Sequence, residues 1–230
     1  MVAGHPGEKR LEQTIKARYH HPNIRAEISN FKCSACQKFK LAGRGHGLLP
    51  ERELREQPFE ECAVDLIGPW PVIIHGKEHT FLALTIIDPV TNLTELVRVD
   101  SKESDHIARK FAQTWLSRYP WPQRCIHDNG GEFTGWKFQK LLEQSNIKDV
   151  PTTSRNPTAN AVCERMHQTV GNVLRTLVHD NPPRGTRQAK DLVNEALSIA
   201  QHALRCSVHT TLGSSPGSLV FNRDMFLTFQ

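Results

Sequence analysis

Two aspartates stand within or directly after stretches that are typical of buried β-strands. Asp65 interrupts the apolar segment 64–67, and Asp128 follows the short strand-like segment 124–127 and precedes an Asn-Gly-Gly turn. A lone carboxylate inside an apolar strand is costly to bury unless it is paired or binds a cation. If the two strands are neighbours in one sheet, the carboxylates meet at one end of it. Convergence of the two acids therefore requires the first and fourth strands to be adjacent.

A third acid, Glu164, lies in the first turns of a predicted helix, with 35 residues between it and Asp128. Three carboxylates that converge repel one another and are stabilised when cations lie between them. Ligand sets made only of oxygen favour Mg²⁺ or Mn²⁺. Two such ions, about 3.5–4 Å apart, promote in-line displacement at phosphodiesters. We therefore predict that Asp65, Asp128 and Glu164 are catalytic and bind two divalent ions.

Each acid taken alone also has an ordinary structural explanation. Asp128 precedes Asn-Gly, which is common turn chemistry, and Glu164 near a helix start is favoured by the helix dipole. The combination of the three, rather than any one of them, favours catalysis.

The remaining hydrophobic pattern predicts an α/β domain with a five-stranded mixed sheet flanked by helices. Three strands come first, as an antiparallel meander, and helices then alternate with two more strands. Ser104 is the predicted N-cap of the first of these helices, and Pro216 occupies the first position of the last. The predicted strands are 59–66, 80–88, 93–99, 124–127 and 148–151; the predicted helices are 104–118, 133–144, 158–178, 189–204 and a short one from 216.

The N-terminal quarter is predicted to be helical and is basic. Residues 8–19 carry one apolar helical stripe that ends before Pro22, and residues 24–31 carry a second, shorter one. The first 57 residues hold 11 lysines and arginines against 6 acids, whereas the rest of the chain is balanced. This asymmetry indicates either a polyanionic partner or a solvated helix surface.

Cys33 and Cys36 form a C-x₂-C pair, which is half of a tetrahedral zinc site. His5 is the best third ligand, and the fourth is not evident, although His20 or His21 could substitute. The alternative is a pair of free thiols at a helix end.

The other four cysteines are predicted to be small buried hydrophobic residues rather than parts of a disulfide framework. They are Cys62, Cys125, Cys163 and Cys206. The longest apolar run, about residues 81–87, is far shorter than the roughly 20 residues of a membrane span. No signal peptide is visible, so we expect a soluble intracellular protein without a membrane partner.

Several segments resemble retroviral-type integrases of the kind encoded by Ty3/gypsy long-terminal-repeat retrotransposons. Residues 64–69, 128–133 and 156–165 are similar to the three catalytic blocks of that family, spacing included. Residues 4–7 and 33–38 resemble its N-terminal HHCC zinc module, and 215–223 resemble the end of its core. The resemblance therefore covers essentially the whole chain.

The resemblance implies an RNase H-like core at 58–230, a linker at 48–57 and a helical zinc-binding module at 1–47. It implies a Mg²⁺-dependent nucleotidyltransferase with nuclease activity, which trims the 3′ ends of element DNA and joins them to target DNA. Double-stranded DNA and further copies of the chain are the implied partners, and Zn²⁺ is the implied structural metal. The implied location is the nucleus, after particle assembly in the cytoplasm.

Four residues on or beside the catalytic helix are candidate DNA contacts: Asn160, Arg165, His167 and Arg175. Such contacts are directed to the DNA backbone and carry little sequence information. Arg165 is equally consistent with a surface charge.

The chain departs from the family pattern in three respects. The family's first zinc histidine would precede His5, so the module is expected to be truncated. Ala161 replaces the usual glycine, and the family's C-terminal DNA- or chromatin-binding domain is expected to be absent.

Two other functions remain open. One is a transposase or an RNase H nuclease of the same fold, and the other is a domesticated, non-catalytic DNA-binding protein.

Overall fold

The computed structural model describes residues 7–33, 57–74, 77–151, 168, 170–179 and 182–225. Its five-stranded sheet has the order β3-β2-β1-β4-β5. The strands are β1 (Glu61–Ile74), β2 (Lys77–Ile87), β3 (Thr94–Val99), β4 (Arg124–His127) and β5 (Lys148–Pro151). β1, β2 and β3 form an antiparallel meander, whereas β4 is parallel to both β1 and β5. The predicted mixed sheet is confirmed.

Eight α-helices lie within the described residues, and those between residues 104 and 206 pack against the sheet. They are α1 (Glu8–Lys16), α2 (Ile24–Asn30), α3 (Ser104–Phe111) with a π-helical turn (Ala112–Leu116), α4 (Gly131–Thr134), α5 (Trp136–Gln144), α6 (residues 170–179), α7 (Thr186–Cys206) and α8 (Pro216–Phe221). Among them, none is both long and apolar enough to cross a bilayer.

Alternating side chains of β1 build two separate cores, because successive residues of a strand point to opposite faces. Cys62 and Val64 pack with α3, its π-helical turn and α5. Ile67 packs instead with α6 and α7 on the other face. Asp65 has the same parity as Ile67, so it belongs to the α6 and α7 face.

β1 is longer than predicted. Gly68-Pro69 was expected to end the strand as a turn, but pairing with β2 resumes at Trp70, opposite Phe81, after a β-bulge. Gly68 adopts φ +108°, and an added Cβ would lie 2.6 Å from the carbonyl oxygen of Phe81. A glycine therefore allows the strand to continue where a turn was predicted.

Replacing Gly68 by alanine is expected to lower the free energy of unfolding by about 1–3 kcal/mol, because the backbone is strained and the new methyl meets a carbonyl. Urea denaturation of the full chain measures this change. Gly131→Ala is the matched control, since an added Cβ there meets nothing within 4 Å. Equal stability of the two variants would contradict the role assigned to Gly68.

The N-cap position of α3 lies one residue earlier than predicted. Glu103 occupies the N-cap position, and the predicted cap, Ser104, lies inside the helix. The Ser104 hydroxyl instead accepts a hydrogen bond from the backbone N–H of Phe138, at 3.0 Å. The prediction that Ser104 caps α3 is therefore wrong, because its hydroxyl bonds to the backbone of α5 instead. The predicted apolar stripe is confirmed: Ile107, Phe111 and Trp115 are fully buried.

The predicted helix 133–144 is divided into α4 and α5 at Gly135. This residue is extended (φ −65°, ψ 144°), and an added Cβ would lie 2.5 Å from the Cβ of Ser104. The close approach of α3 therefore explains the break.

α1 packs against the chain segment that follows α7. The Thr14 hydroxyl accepts a hydrogen bond from the backbone N–H of Val208 at 3.2 Å, and Arg18 forms an ion pair with Asp224. The helix ends at Lys16 rather than at Tyr19, whose side chain is exposed. Residues 34–56, which hold most of the predicted linker, lie outside the described part of the chain, so the domain division stays a prediction.

A buried carboxylate ties the meander to the helices. Glu95 on β3 is 2% exposed and accepts hydrogen bonds from Arg205 of α7 and, at 2.6 Å, from the Tyr119 hydroxyl. Arg118 lies 3.7 Å away. Burial, and then the bond to Glu95, raise the pKa of Tyr119 to about 12, so the phenol stays a donor at neutral pH.

Candidate active site

The parallel pairing of β1 with β4 brings the two predicted catalytic aspartates to the same level of the sheet. Cys62 pairs with Cys125, and the last recorded pair of the ladder is Ala63 with Ile126. Two further positions along each strand align Asp65 with Asp128. Because neighbouring strands lie about 4.8 Å apart, the two backbones are close at this level. β1 and β4 are adjacent in the sheet, which is the condition for the two aspartates to meet.

Asp65 is half-buried within β1. Its Oδ1 accepts a hydrogen bond from the backbone N–H of Leu66 at 2.7 Å. Directly opposite on β2 is Thr85, which is fully buried and whose hydroxyl has no hydrogen-bond partner among the described residues. Residues paired directly across an antiparallel ladder share a face, so this hydroxyl is a candidate donor to the site.

Asp128 is the first residue after β4 and is exposed. Its Oδ1 accepts a hydrogen bond from the backbone N–H of Gly130 at 3.0 Å, which starts the turn into α4. Within the described ranges, no lysine or arginine forms an ion pair with Asp128. An exposed carboxylate at the carboxyl edge of a parallel pair is accessible to a cation and to a substrate.

Glu164 lies outside the described residues, as do Asn160, Arg165 and His167. The nearest described helix, α6, packs Val170, Val173 and Leu174 on the sheet face to which Asp65 belongs. Among the described residues, no group of three or more histidines, cysteines and acids is placed to hold a metal. The role of Glu164 as third ligand therefore stays a prediction.

The remaining DNA-contact candidate, Arg175, lies on α6. It is half-buried, and its Nη2 donates to Oδ1 of Asn172 at 2.6 Å. This bond holds the guanidinium along the helix, and its contact with DNA stays a prediction.

The zinc prediction falls mostly outside the described residues. Cys33 is half-buried, whereas His5 and Cys36 are not described. The alternative ligands His20 and His21 are both exposed, and Nδ1 of His21 lies 3.6 Å from a carboxylate oxygen of Glu27. A zinc site on Cys33 and Cys36 stays a prediction.

Three of the four remaining cysteines are buried free thiols, as predicted: Cys62, Cys125 and Cys206. Burial is the main cause that raises the pKa of Cys62, and the neighbouring Cys125 adds to it. Cys163 lies outside the described residues.

The sequence did not single out the contact between His127 and Asp149. Side chains alternate along a strand, so His127 is expected to point to the side opposite Asp128 and not to be a metal ligand. In the structure its Nε2 lies 2.5 Å from Oδ1 of Asp149, and its Nδ1 lies 2.5 Å from the carbonyl oxygen of Asp128. A usable signal existed, since one histidine and one acid fall on neighbouring predicted strands.

No family model matches the chain, but it is similar to one transposon polyprotein and one retrovirus polyprotein. It is 25% identical over 177 residues, 76% of its length, to "Retrovirus-related Pol polyprotein from transposon 412" of Drosophila melanogaster. A stretch of 76 residues, 33% of the chain, is 36% identical to the Gag-Pro-Pol polyprotein of squirrel monkey retrovirus. The chain spans only 14% and 4% of the length of these two relatives.

Solved structures with the same fold include a retroviral integrase core and a retroviral intasome. The catalytic core domain of HTLV-2 integrase, in complex with magnesium, matches with a TM-score of 0.54 and 17% identity over 70% of this chain and 95% of that one. The simian T-cell lymphotropic virus intasome, in complex with a PP2A regulatory subunit, matches with a TM-score of 0.61 and 15% identity over 95% of this chain and 73% of that one.

The fold is therefore that of retroviral integrase catalytic cores, an RNase H-like fold. The relatives and the structural neighbours agree with the resemblance to a retroviral-type integrase, and that resemblance is confirmed.

Proposed function

We propose that this chain is a DNA integrase, a polynucleotidyl transferase that trims the 3′ ends of retroelement DNA and joins them to target DNA. The observation that carries the proposal is the β1–β4 register, which, extended by two positions beyond its last pair, aligns Asp65 with Asp128 where β4 ends. The fold shared with integrase cores and the similarity to Pol polyproteins support it.

The donor set fits a hard divalent cation. Asp65 and Asp128 offer carboxylate oxygens, which Mg²⁺ and Mn²⁺ prefer over nitrogen or sulfur. Asp65, Asp128 and Glu164 are the proposed ligands. When bound, a pair of such ions activates the attacking oxygen and stabilises the leaving oxygen of a phosphodiester.

In each proposed step one P–O bond forms as another breaks, and no nucleophilic side chain is required. In end processing, a water oxygen attacks phosphorus, the P–O bond to the 3′ oxygen breaks, and that oxygen takes up a proton. In strand transfer, the freed 3′ hydroxyl attacks a target phosphodiester, so one P–O bond forms as another breaks. The chain's part is to orient the phosphodiester at the edge where Asp128 is exposed.

We expect the full chain to resolve a branched DNA that mimics the strand-transfer product, with Mg²⁺ or Mn²⁺ and not with EDTA. This disintegration substrate is informative because it requires a single attack by a 3′ hydroxyl. Labelled products separated on a denaturing gel measure the rate. An RNA–DNA hybrid of equal length is the control substrate.

The outcomes of this experiment separate the alternatives. Cleavage of the hybrid with no reaction on branched DNA would replace the proposal with an RNase H nuclease. Binding of DNA without any reaction in Mn²⁺ would favour a non-catalytic DNA-binding protein.

The remaining parts of the proposal concern partners and location. Double-stranded DNA and further copies of the chain are the proposed partners, because two element ends have to be joined to one target. One of the structural neighbours is an intasome, which is consistent with this. A structural Zn²⁺ on His5, Cys33 and Cys36, and action in the nucleus, complete the proposal.

A further inference from the structure

His127 links the exit of β4 to the edge strand β5. Its side chain is fully buried, and its two ring nitrogens face different partners. A carbonyl oxygen can only accept, so Nδ1 donates to the carbonyl oxygen of Asp128 at 2.5 Å. Nε2 faces Oδ1 of Asp149, also at 2.5 Å. One ring thus connects the backbone of the proposed metal ligand to a side chain on the neighbouring strand.

Aromatic packing fixes the plane of this imidazole. The ring centroid of His127 lies 5.4 Å from that of Phe133 on α4 and 6.1 Å from that of Phe138 on α5. Both phenylalanines are fully buried, so the ring has little room to turn. The Nδ1–H that donates to the Asp128 carbonyl therefore belongs to a ring that Phe133, Phe138 and Asp149 hold in place.

The orientation of the Asp128 carbonyl bears directly on its carboxylate. Asp128 stands where the chain leaves β4; its side chain is exposed, and its Oδ1 accepts a hydrogen bond from the Gly130 N–H. Its backbone orientation decides the direction in which the Cα–Cβ bond points. A donor fixed beneath that carbonyl limits the rotation of the backbone at this residue.

We propose that His127 and Asp149 form a positioning pair that holds the Asp128 carboxylate in place for divalent-metal binding. This inference rests on the proposed function, because it assumes that Asp128 binds the metal. Asp149 fixes the imidazole, and the imidazole fixes the Asp128 backbone. Groups that orient a ligand in this way typically change metal affinity by about 10–100-fold when removed.

Two conservative substitutions separate the two bonds of the ring. The amide nitrogen of asparagine coincides with Nδ1 of histidine, so His127→Asn keeps the donor to Asp128 and loses the contact with Asp149. The amide nitrogen of glutamine coincides with Nε2, so His127→Gln keeps the opposite bond. His127→Phe keeps the ring and removes both bonds.

The test measures Mn²⁺ binding to the full chain by water-proton relaxation, together with the Mg²⁺ concentration for half-maximal disintegration. We expect both midpoints to rise about 10–100-fold in His127→Phe and His127→Gln, and to change by only a few-fold in His127→Asn. In Asp149→Leu, both midpoints are expected to rise by an amount between these two limits. Circular dichroism and the unfolding midpoint show which variants are folded. If His127→Phe does not fold, the comparison of His127→Asn with His127→Gln tests the inference instead.

Arg124→Met is the matched control. Arg124 lies on the same strand, three residues before His127, and pairs with Glu61, which is 2% exposed. Its loss is expected to lower stability without changing either metal midpoint. A midpoint shift in Arg124→Met equal to that in His127→Gln would show that general destabilisation causes the effect and would overturn the inference.

The failure of this inference differs from the failure of the proposed function. If the parent binds Mn²⁺ and His127→Phe and His127→Gln bind it equally well, the positioning role is wrong and the proposed function stands. If the parent neither binds Mn²⁺ nor reacts, both are wrong.

Discussion

Replacing Asp128 by asparagine is expected to lower the rate of Mg²⁺-dependent disintegration by about 10²- to 10³-fold, the scale on which single electrostatic groups contribute to transition-state stabilisation. The amide keeps the shape of the side chain and the bond from the Gly130 N–H, but it removes one negative charge at the exposed edge of the sheet. The folded structure is expected to be retained. The rate is measured on the branched substrate, and the unfolding midpoint is measured in parallel.

A neutralised acid elsewhere on the same domain controls for the charge change itself. Asp105→Asn removes a partly exposed carboxylate that pairs with Arg109 on α3, which packs on the face of the sheet opposite to that of Asp65. Its rate is expected to equal that of the parent. Undiminished activity in Asp128→Asn would remove Asp128 from the proposed metal site, whatever the control shows.

Replacing Arg205 by methionine is expected to lower the free energy of unfolding by about 3–5 kcal/mol, because it leaves the Glu95 carboxylate buried without its nearest cation. The hydrogen bond from Arg205 to the carbonyl oxygen of Thr94, at 3.1 Å, is lost as well. Urea denaturation followed by circular dichroism measures the difference. Arg109→Met, from an exposed pair, is expected to change stability by at most about 1 kcal/mol.

The double variant Glu95→Leu/Arg205→Met tests the mechanism of that loss. If most of the cost arises from the unpaired buried carboxylate, removing the carboxylate too recovers much of the stability. Additive losses in the double variant would instead indicate that the hydrogen bonds themselves supply the stabilisation.

The strands of the core were predictable because their apolar runs are bounded by turn residues. β4 and β5 have the bounds predicted for them, and β3 differs by one residue. The adjacency of β1 and β4 is a condition for Asp65 and Asp128 to meet, and the local pattern alone does not give it. The local pattern therefore predicted the strands, but not the position of β4 beside β1.

Contacts between elements that are distant in sequence were not predictable. Nothing in the local sequence shows that the Ser104 hydroxyl bonds to α5, 34 residues later, instead of capping its own helix. The bond between His127 and Asp149 depends in the same way on the β4–β5 register. Such contacts arise from tertiary packing, which single-sequence periodicity does not contain.

The bulge at Gly68 reverses the phase of side-chain alternation along β1. Before it, the odd-numbered Ile67 faces α6 and α7; after it, the even-numbered Val72 and Ile74 do so, and Ile73 is 71% exposed. One extra residue thus lets a single strand keep one continuous apolar face with two opposite parities. If that one residue were deleted, either the distal half of β1 or the segment that carries Asp65 would have to exchange its buried and exposed faces. The number of residues in the bulge therefore determines on which face of the sheet the Asp65 carboxylate lies.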